Sequence, residues 1–225
     1  MPNFKTTQND IELTKELYIF SGLGADERVF QRLDFSAFKT TFIKWIVPNN
    51  NETIENYATR LLDQIITAKP TLIGLSFGGI MAVEVAKQID TEKVILIASA
   101  KTKKEIPFYY RLAGQIRIHK LLPTKVLKSS NFMTNWFFGA TSKFDKQLLK
   151  QILIDTDPIF LKWAIEQIVL WRNRIQLNNI FHIHGTNDKI LPLAFVNCNQ
   201  EIKNGGHLMT LNKSDELNEI IKLQL

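Results

Sequence analysis

Apolar positions recur at two different spacings along this chain. Ile54, Tyr57, Ala58, Leu61, Leu62, Ile65 and Ile66 fall at i, i+3, i+4, i+7, i+8, i+11 and i+12, one stripe of an α-helix. Elsewhere the apolar residues come in short runs without alternation: Glu16 to Phe20, Thr41 to Val47, Thr71 to Leu75 behind Pro70, Lys93 to Ala98, and Ile180 to His184. Runs of this length read as strands covered on both faces, and a weaker one spans Asn199 to Lys203. Helices are predicted from about Gly78 to Gln88 and from Ser214, a good N-cap, to Leu223. Strands separated by helices predict an α/β fold with a mostly parallel, doubly wound sheet of about six strands, and a stub near Ile11 to Thr14.

The alternation stops after Ala100. From 101 to 173 the pattern is helical only, broken at Pro107, Pro123, Gly139 and Pro158, and includes a helix from Phe160 to Trp171. Some seventy residues are long for a connection with no other role. The reading is therefore a core of residues 1–100 and 174–225 interrupted by a helical cap, or lid, at 101–173.

Composition adds limits. A chain of 225 residues with 45% hydrophobic and 22% charged positions is neither disordered nor low in complexity. One cysteine, Cys198, cannot form an internal disulfide. The polar opening Met1 to Asp10 lacks a signal-peptide core, and no apolar run approaches the ~20 residues that cross a bilayer. A cytoplasmic protein without stable membrane insertion is the expectation. The net charge of +6 is unevenly placed, because residues 101–130 hold eight basic residues against the single acid Glu105. They are Lys101, Lys103, Lys104, Arg111, Arg117, Lys120, Lys125 and Lys128.

The chemistry begins at Gly74-Leu75-Ser76-Phe77-Gly78-Gly79, a G-x-S-x-G segment between a predicted strand and a predicted helix. Glycines two before and two after let the neighbouring elements approach, so a tight turn can push the serine out of the chain. The competing reading is a plain βα turn whose serine caps the helix. A serine hydroxyl needs a base, and the base needs an orienting acid. Asp188 follows the strand Ile180 to His184, and His207 follows the last strand in Gly205-Gly206-His207. Both fall, like Ser76, just past the C-terminal ends of parallel strands, where open α/β sheets bind ligands.

With these residues, in the order Ser, Asp, His, the chain resembles the small esterases and thioesterases of the α/β-hydrolase superfamily, over nearly its whole length. The resemblance implies Ser76 as nucleophile, His207 as general base and then acid, and Asp188 as the orienting carboxylate. It also implies an oxyanion hole made by the backbone N–H groups of Leu23 and Phe77. Leu17 to Phe20 then corresponds to the third of the family's eight strands. Many relatives have His-Gly where this chain has Ser21-Gly22, which bears on the loop path around Leu23. Some place the acid after the strand that follows the elbow helix, but Ala98-Ser99-Ala100 has no carboxylate there.

Other residues have plainer readings. Asp26 reads as a helix cap or surface charge, and Asp155 and Asp157 have no strand end to hold them. His182 and His184 share a strand face but lack a third ligand, so they read as filler or loop-shaping groups, and no metal is expected. His119 reads as an exposed cap residue and Cys198 as a buried apolar one. Of the aromatic residues in the cap, Phe132, Trp136, Phe137 and Phe138 have the best claim to an apolar wall over Ser76.

The expected function is hydrolysis of a carboxylic ester or thioester through an acyl-enzyme, without a cofactor. The alternatives are a lyase using the same triad, of the menaquinone-pathway or hydroxynitrile type, and a non-catalytic binding protein on this fold. The expected partner is a small ester or thioester. The basic run suggests an anionic or carrier-bound one, against the plainer reading of a solvated face. Nucleic acid is not expected, since no reading module is present.

Overall fold

The computed structural model describes residues 16–121 and 123–225. The stub read at Ile11 to Thr14 lies outside the described residues, as do the side chains of His119 and Lys125. The strands are β1 (Glu16–Phe20), β2 (Lys39–Phe42), β3 (Thr71–Leu75), β4 (Lys93–Ile97), β5 (Ile180–Gly185) and β6 (Gln200–Ile202). All neighbours pair in parallel, in the order β2-β1-β3-β4-β5-β6. The helices are α1 (Ile54–Leu61), α2 (Phe77–Ala86), α3 (Phe108–Gln115), α4 (Thr124–Leu127), α5 (Phe132–Phe138), α6 (Lys143–Asp155), α7 (Pro158–Leu170), α8 (Met209–Asn212) and α9 (Ser214–Gln224).

Alternate strand residues feed two cores. Tyr18, Phe20, Leu72, Val94 and Leu96 pack with Tyr57, Leu61, Met81 and Trp163 on one face. Leu17, Ile19, Ile73, Ile95 and Ile97 pack with Phe30, Leu217 and Ile221 on the other. With both faces covered, neither needs polar residues, which is why the runs do not alternate. Every residue of α2 is buried, Glu84 included. That carboxylate accepts from Lys87 Nζ at 2.7 Å and from Trp171 Nε1 at 2.8 Å, so the buried charge is paired. The chain reverses direction across the sheet between β1 and β3. The loops after these two strands therefore face each other at the switch point.

Three boundaries differ from the sequence reading. The second strand is Lys39–Phe42, not Thr41 to Val47. Past Ile43 the backbone is taken by side chains instead of a strand. Lys44 N–H donates to Gln64 Oε1 at 2.8 Å, and Tyr57 OH accepts from Ile46 N–H at 2.9 Å while donating to Ile46 O at 2.8 Å. The α1 stripe ends at Leu61 and tightens into a 3-10 turn at Leu62–Gln64, leaving Ile66 exposed. Ser214 makes no capping bond; the turn into α9 is held by Lys213 N–H to Met209 O at 2.8 Å and Leu217 N–H to Lys213 O at 3.0 Å.

Residues 101–173 carry helices and no strand among the described residues. Their breaks have local causes. Pro107 and Pro123 precede α3 and α4, Gly139 ends α5 with φ 71°, and Pro158 opens α7 behind the Asp157 cap. Ser142 and Asp145 form a reciprocal capping box on α6. α7 does not stand off from the body. Phe160, Trp163 and Ala164 belong to the first core, and Trp163 Nε1 donates to Glu52 O at 2.8 Å. Among the described residues no helix is long and apolar enough to cross a membrane.

The Tyr57 hydroxyl is the one group that satisfies both polar atoms of Ile46. Tyr57→Phe is expected to leave them unpaired and to cost about 2 kcal/mol in urea denaturation. An unchanged midpoint would mean that water replaces the hydroxyl freely.

Candidate active site

The turn after β3 places Ser76 at φ 55° and ψ −122°, a positive φ outside the regions that side chains prefer. Such a residue costs on the order of 1–3 kcal/mol and persists only where its surroundings dictate it. Here they do. Ser76 N–H donates to Ile97 O at 2.9 Å, and Ser99 Oγ donates to Ser76 O at 2.6 Å. A Cβ on Gly74 would lie 2.4 Å from Gly79 Cα, and one on Gly78 would lie 2.2 Å from Ser21 O. The strand, the helix and the loop after β1 thus meet backbone to backbone, and only glycine fits.

The three residues brought together by the strand ends form one chain of hydrogen bonds. Ser76 Oγ lies 2.7 Å from His207 Nε2, and His207 Nδ1 lies 2.8 Å from Asp188 Oδ2. A carboxylate only accepts, so Nδ1 carries the proton and Nε2 is free to accept from the serine hydroxyl. The other oxygen, Asp188 Oδ1, accepts from the N–H groups of Ile190 and Leu191, both at 2.9 Å. Asp188 and His207 are buried, while Ser76 is half-buried. Burial pushes the Asp188 carboxyl up, but His207 and the Leu191 N–H outweigh it and hold the carboxyl below its ordinary value.

The acid turn and the histidine loop are locked together. Asn187 N–H donates to Gly205 O at 2.9 Å, and a Cβ on Gly185 would lie 2.3 Å from that same oxygen. The buried His184 is 2.8 Å from Leu191 O through Nε2, steadying the segment that binds Asp188. His182 is also buried, with its ring 5.3 Å from that of His184. Among the described residues no group of three or more His, Cys, Asp or Glu side chains could hold a metal ion.

Opposite Ser76 lies the loop Ser21–Ala25, closed by Ala25 N–H to Gly22 O at 3.0 Å. A Cβ on Gly22 would be 3.7 Å from Ser76 Cβ, so this loop flanks the hydroxyl. Phe77 is the first residue of α2, and its N–H has no intrahelical acceptor. Ser21 ties the loop down. Its Oγ donates to Ala25 O at 2.5 Å and accepts from Trp45 Nε1 at 3.0 Å. Gly24 has φ 64° and abuts Thr156, whose hydroxyl is 3.1 Å from Gly24 O. The connection between α6 and α7 therefore clasps the loop that carries Leu23.

The aromatic residues read as a wall over Ser76 divide. Phe138 packs edge-on against His207 with centroids 5.8 Å apart, and its carbonyl accepts from Leu208 N–H at 3.1 Å. Phe132 is 83% exposed and Trp136 49%. Both line a hollow of about 360 Å³ beside Asn187 and Gly206 that does not include Ser76. Phe137 stacks edge-on with Trp136 and is also exposed. Of the four residues expected to form a wall, Phe138 is the one packed against His207, while Phe132, Trp136 and Phe137 are exposed. The rings adjoining Phe77 are Trp45 at 5.5 Å, Phe160 at 6.0 Å and Trp163 at 6.1 Å. With Gly24 and Thr156, Trp45 and Phe160 line a small cavity of about 140 Å³ that contains none of Ser76, Asp188 and His207. A larger hollow of about 720 Å³, between residues 47–53 and α7, contains none of Ser76, Asp188 and His207.

The remaining sequence readings also find their places. Asp26 caps the 3-10 turn Glu27–Phe30 and holds Arg28, which pairs on its other side with Asp155. Asp157 caps α7. Cys198 is half-buried, not buried. Several members of the basic run are paired. Lys101 pairs with Glu105, Lys120 with Glu166, and Lys128 Nζ donates to Ile154 O and Thr156 O, both at 2.8 Å.

Comparison with known proteins places the fold. No family model and no curated protein sequence matches the chain. Solved structures do. A bromoperoxidase from Bacillus anthracis is similar with a TM-score of 0.65 at 15% identity, over 94% of this chain and 91% of that one. A hydrolase from Oleispira antarctica gives 0.68 at 13%, over 92% and 89%. The enol-lactonase from Burkholderia xenovorans gives 0.65 at 15%, over 94% and 91%. The likeness at these identities is one of fold, and the fold is that of the α/β-hydrolases.

A carboxyl held below its ordinary value stabilises the fold fully above the unfolded value near 3.8, and that share disappears as pH falls through the lowered value. Urea denaturation of wild type and Asp188→Asn, from about pH 6 to about pH 3, is expected to give stabilities that converge toward acid. A constant gap over that range would show that the charge contributes nothing.

Proposed function

We propose that this protein is a serine hydrolase that cleaves a carboxylic ester or thioester through an acyl-enzyme, with Ser76, His207 and Asp188 as its triad. The unbroken chain from Ser76 Oγ through His207 to Asp188, at 2.7 and 2.8 Å, carries this reading. His207 Nε2 takes the hydroxyl proton as Ser76 Oγ attacks the carbonyl carbon. The developing oxyanion faces the N–H groups of Phe77 and Leu23, at the positive end of α2. The imidazolium passes its proton to the leaving alkoxide or thiolate, and the acyl group stays on Ser76. Water, activated by the same nitrogen, then releases the acid and restores the serine.

Asp188 keeps the required tautomer and stabilises the imidazolium without taking its proton. The strained turn at Ser76 keeps the hydroxyl aimed at His207, and Phe138 shields the imidazole from one side. The cavity beside Gly24 is smaller than the usual range for drug-sized ligands. Its lining includes Asp155 and Asp157 and none of Ser76, Asp188 and His207, so it does not set the length of the acyl group. Relatives in fold described as a hydrolase and an enol-lactonase support hydrolysis of an ester carbonyl.

The test is an activity screen over short- and long-chain esters, acyl thioesters and lactones. Ser76→Ala is expected to lose about 10³-fold or more in kcat/KM with its melting temperature unchanged. A stoichiometric burst of leaving group from wild type would report the acyl-enzyme and set hydrolysis apart from triad-based lyase chemistry. Retention of most activity by Ser76→Ala would reject the assignment.

A further inference from the structure

Four cationic side chains from three separate segments open into one cavity of about 390 Å³. Lys103 comes from the loop after β4, Arg111 from α3, and Arg172 and Arg174 from the segment after α7. Gln115 adds an amide, and no carboxylate contributes to the lining. Among the described residues none of the four cations makes an ion pair. Arg111 Nε is buried with no hydrogen-bond acceptor among the described residues. Desolvation, and then the charges of Arg174, Arg111 and Arg172, hold Lys103 below the ordinary lysine value. None of Ser76, Asp188 and His207 lines this cavity.

The backbone under these side chains is fixed. Lys103 N–H donates to Asn173 O at 2.9 Å, and the buried Asn173 amide donates to Lys101 O at 2.9 Å and to Ile175 O at 3.1 Å. Trp171, also in the lining, is anchored to Glu84. α3 meets α7 so closely that a Cβ on Gly114 would lie 2.8 Å from Val169 O. Like charges held together without counter-charges oppose the compact state. The repulsion is relieved when an anion arrives, and guanidinium forks match phosphate oxygens two at a time.

We propose that this cavity is a binding site, separate from Ser76, for a phosphate ester carrying a diphosphate or two neighbouring phosphates. The acid-free lining excludes cations, and several converging cations favour a multiply charged ligand over a single carboxylate.

The experiment is calorimetric titration of the full-length protein, at low ionic strength, with inorganic pyrophosphate and with coenzyme A. Wild type is expected to bind pyrophosphate saturably. Arg111→Gln and the pair Arg172→Gln/Arg174→Gln are each expected to weaken it about tenfold or more. Lys143→Gln/Lys146→Gln, on α6, is expected to leave it unchanged. Without ligand, Arg172→Gln/Arg174→Gln should melt no lower than wild type, because repulsion is removed; a merely structural role would lower the melting temperature. These two exposed arginines carry the test if Arg111→Gln does not fold. Tighter binding of coenzyme A would identify a phosphorylated carrier as the ligand, and equal binding would identify the free phosphate anion; either supports the site. No saturable binding of pyrophosphate to wild type, or equal weakening by the α6 substitutions, would overturn it.

Discussion

Ser76 is held in a backbone conformation it would not choose, and the arrangement around it depends on that constraint. The strain is sustained because β3, α2 and the loop after β1 approach within backbone contact at Gly74, Gly78 and Gly79. That closeness puts the free N–H of Phe77 and the loop bearing Leu23 on the same side as the serine hydroxyl. It also leaves no room to relax, since the Ser76 carbonyl is claimed by Ser99 and its N–H by Ile97. The burial of all of α2 follows from the same geometry: a helix started this tightly against the sheet has nowhere to go but the core.

The second partner of the site is built differently. Asp188 and His207 are carried by turns that hold each other through Gly185, Asn187 and Gly205. Every polar atom of the Asp188 carboxylate is bonded, which makes its burial tolerable. The imidazole thus bridges two rigid halves, one strained and one fully satisfied. Such preorganisation lets a proton move without rearrangement of the surroundings.

Much of this was legible in the residues because the cause was local. The unbroken runs of β3 and β4, the stripe of α1 and the punctuation by Pro107, Gly139 and Pro158 each act within a few positions. So does the turn that exposes Ser76. Where the reading failed, a distant side chain had intervened. Residues 44–46 look like strand until Gln64 and Tyr57 capture their backbone. Trp45, Phe160 and Thr156 reach the site from segments with no motif of their own. Several members of the basic run are paired. The cationic cavity draws half its charge from Arg172 and Arg174, outside that run. Linear charge density does not encode which residues will share a hollow.

The contacts of Thr156 with Gly24 and of Phe138 with His207 mean that the helical segment 101–173 touches both the loop that carries Leu23 and the imidazole. An inserted segment is often treated as a detachable module that can be exchanged to change substrate preference. In this protein an exchange would also loosen the loop that carries Leu23 and uncover the imidazole of His207. Evolution of new specificity here therefore has two anchor points to preserve, and the freedom to vary lies in the helices between them.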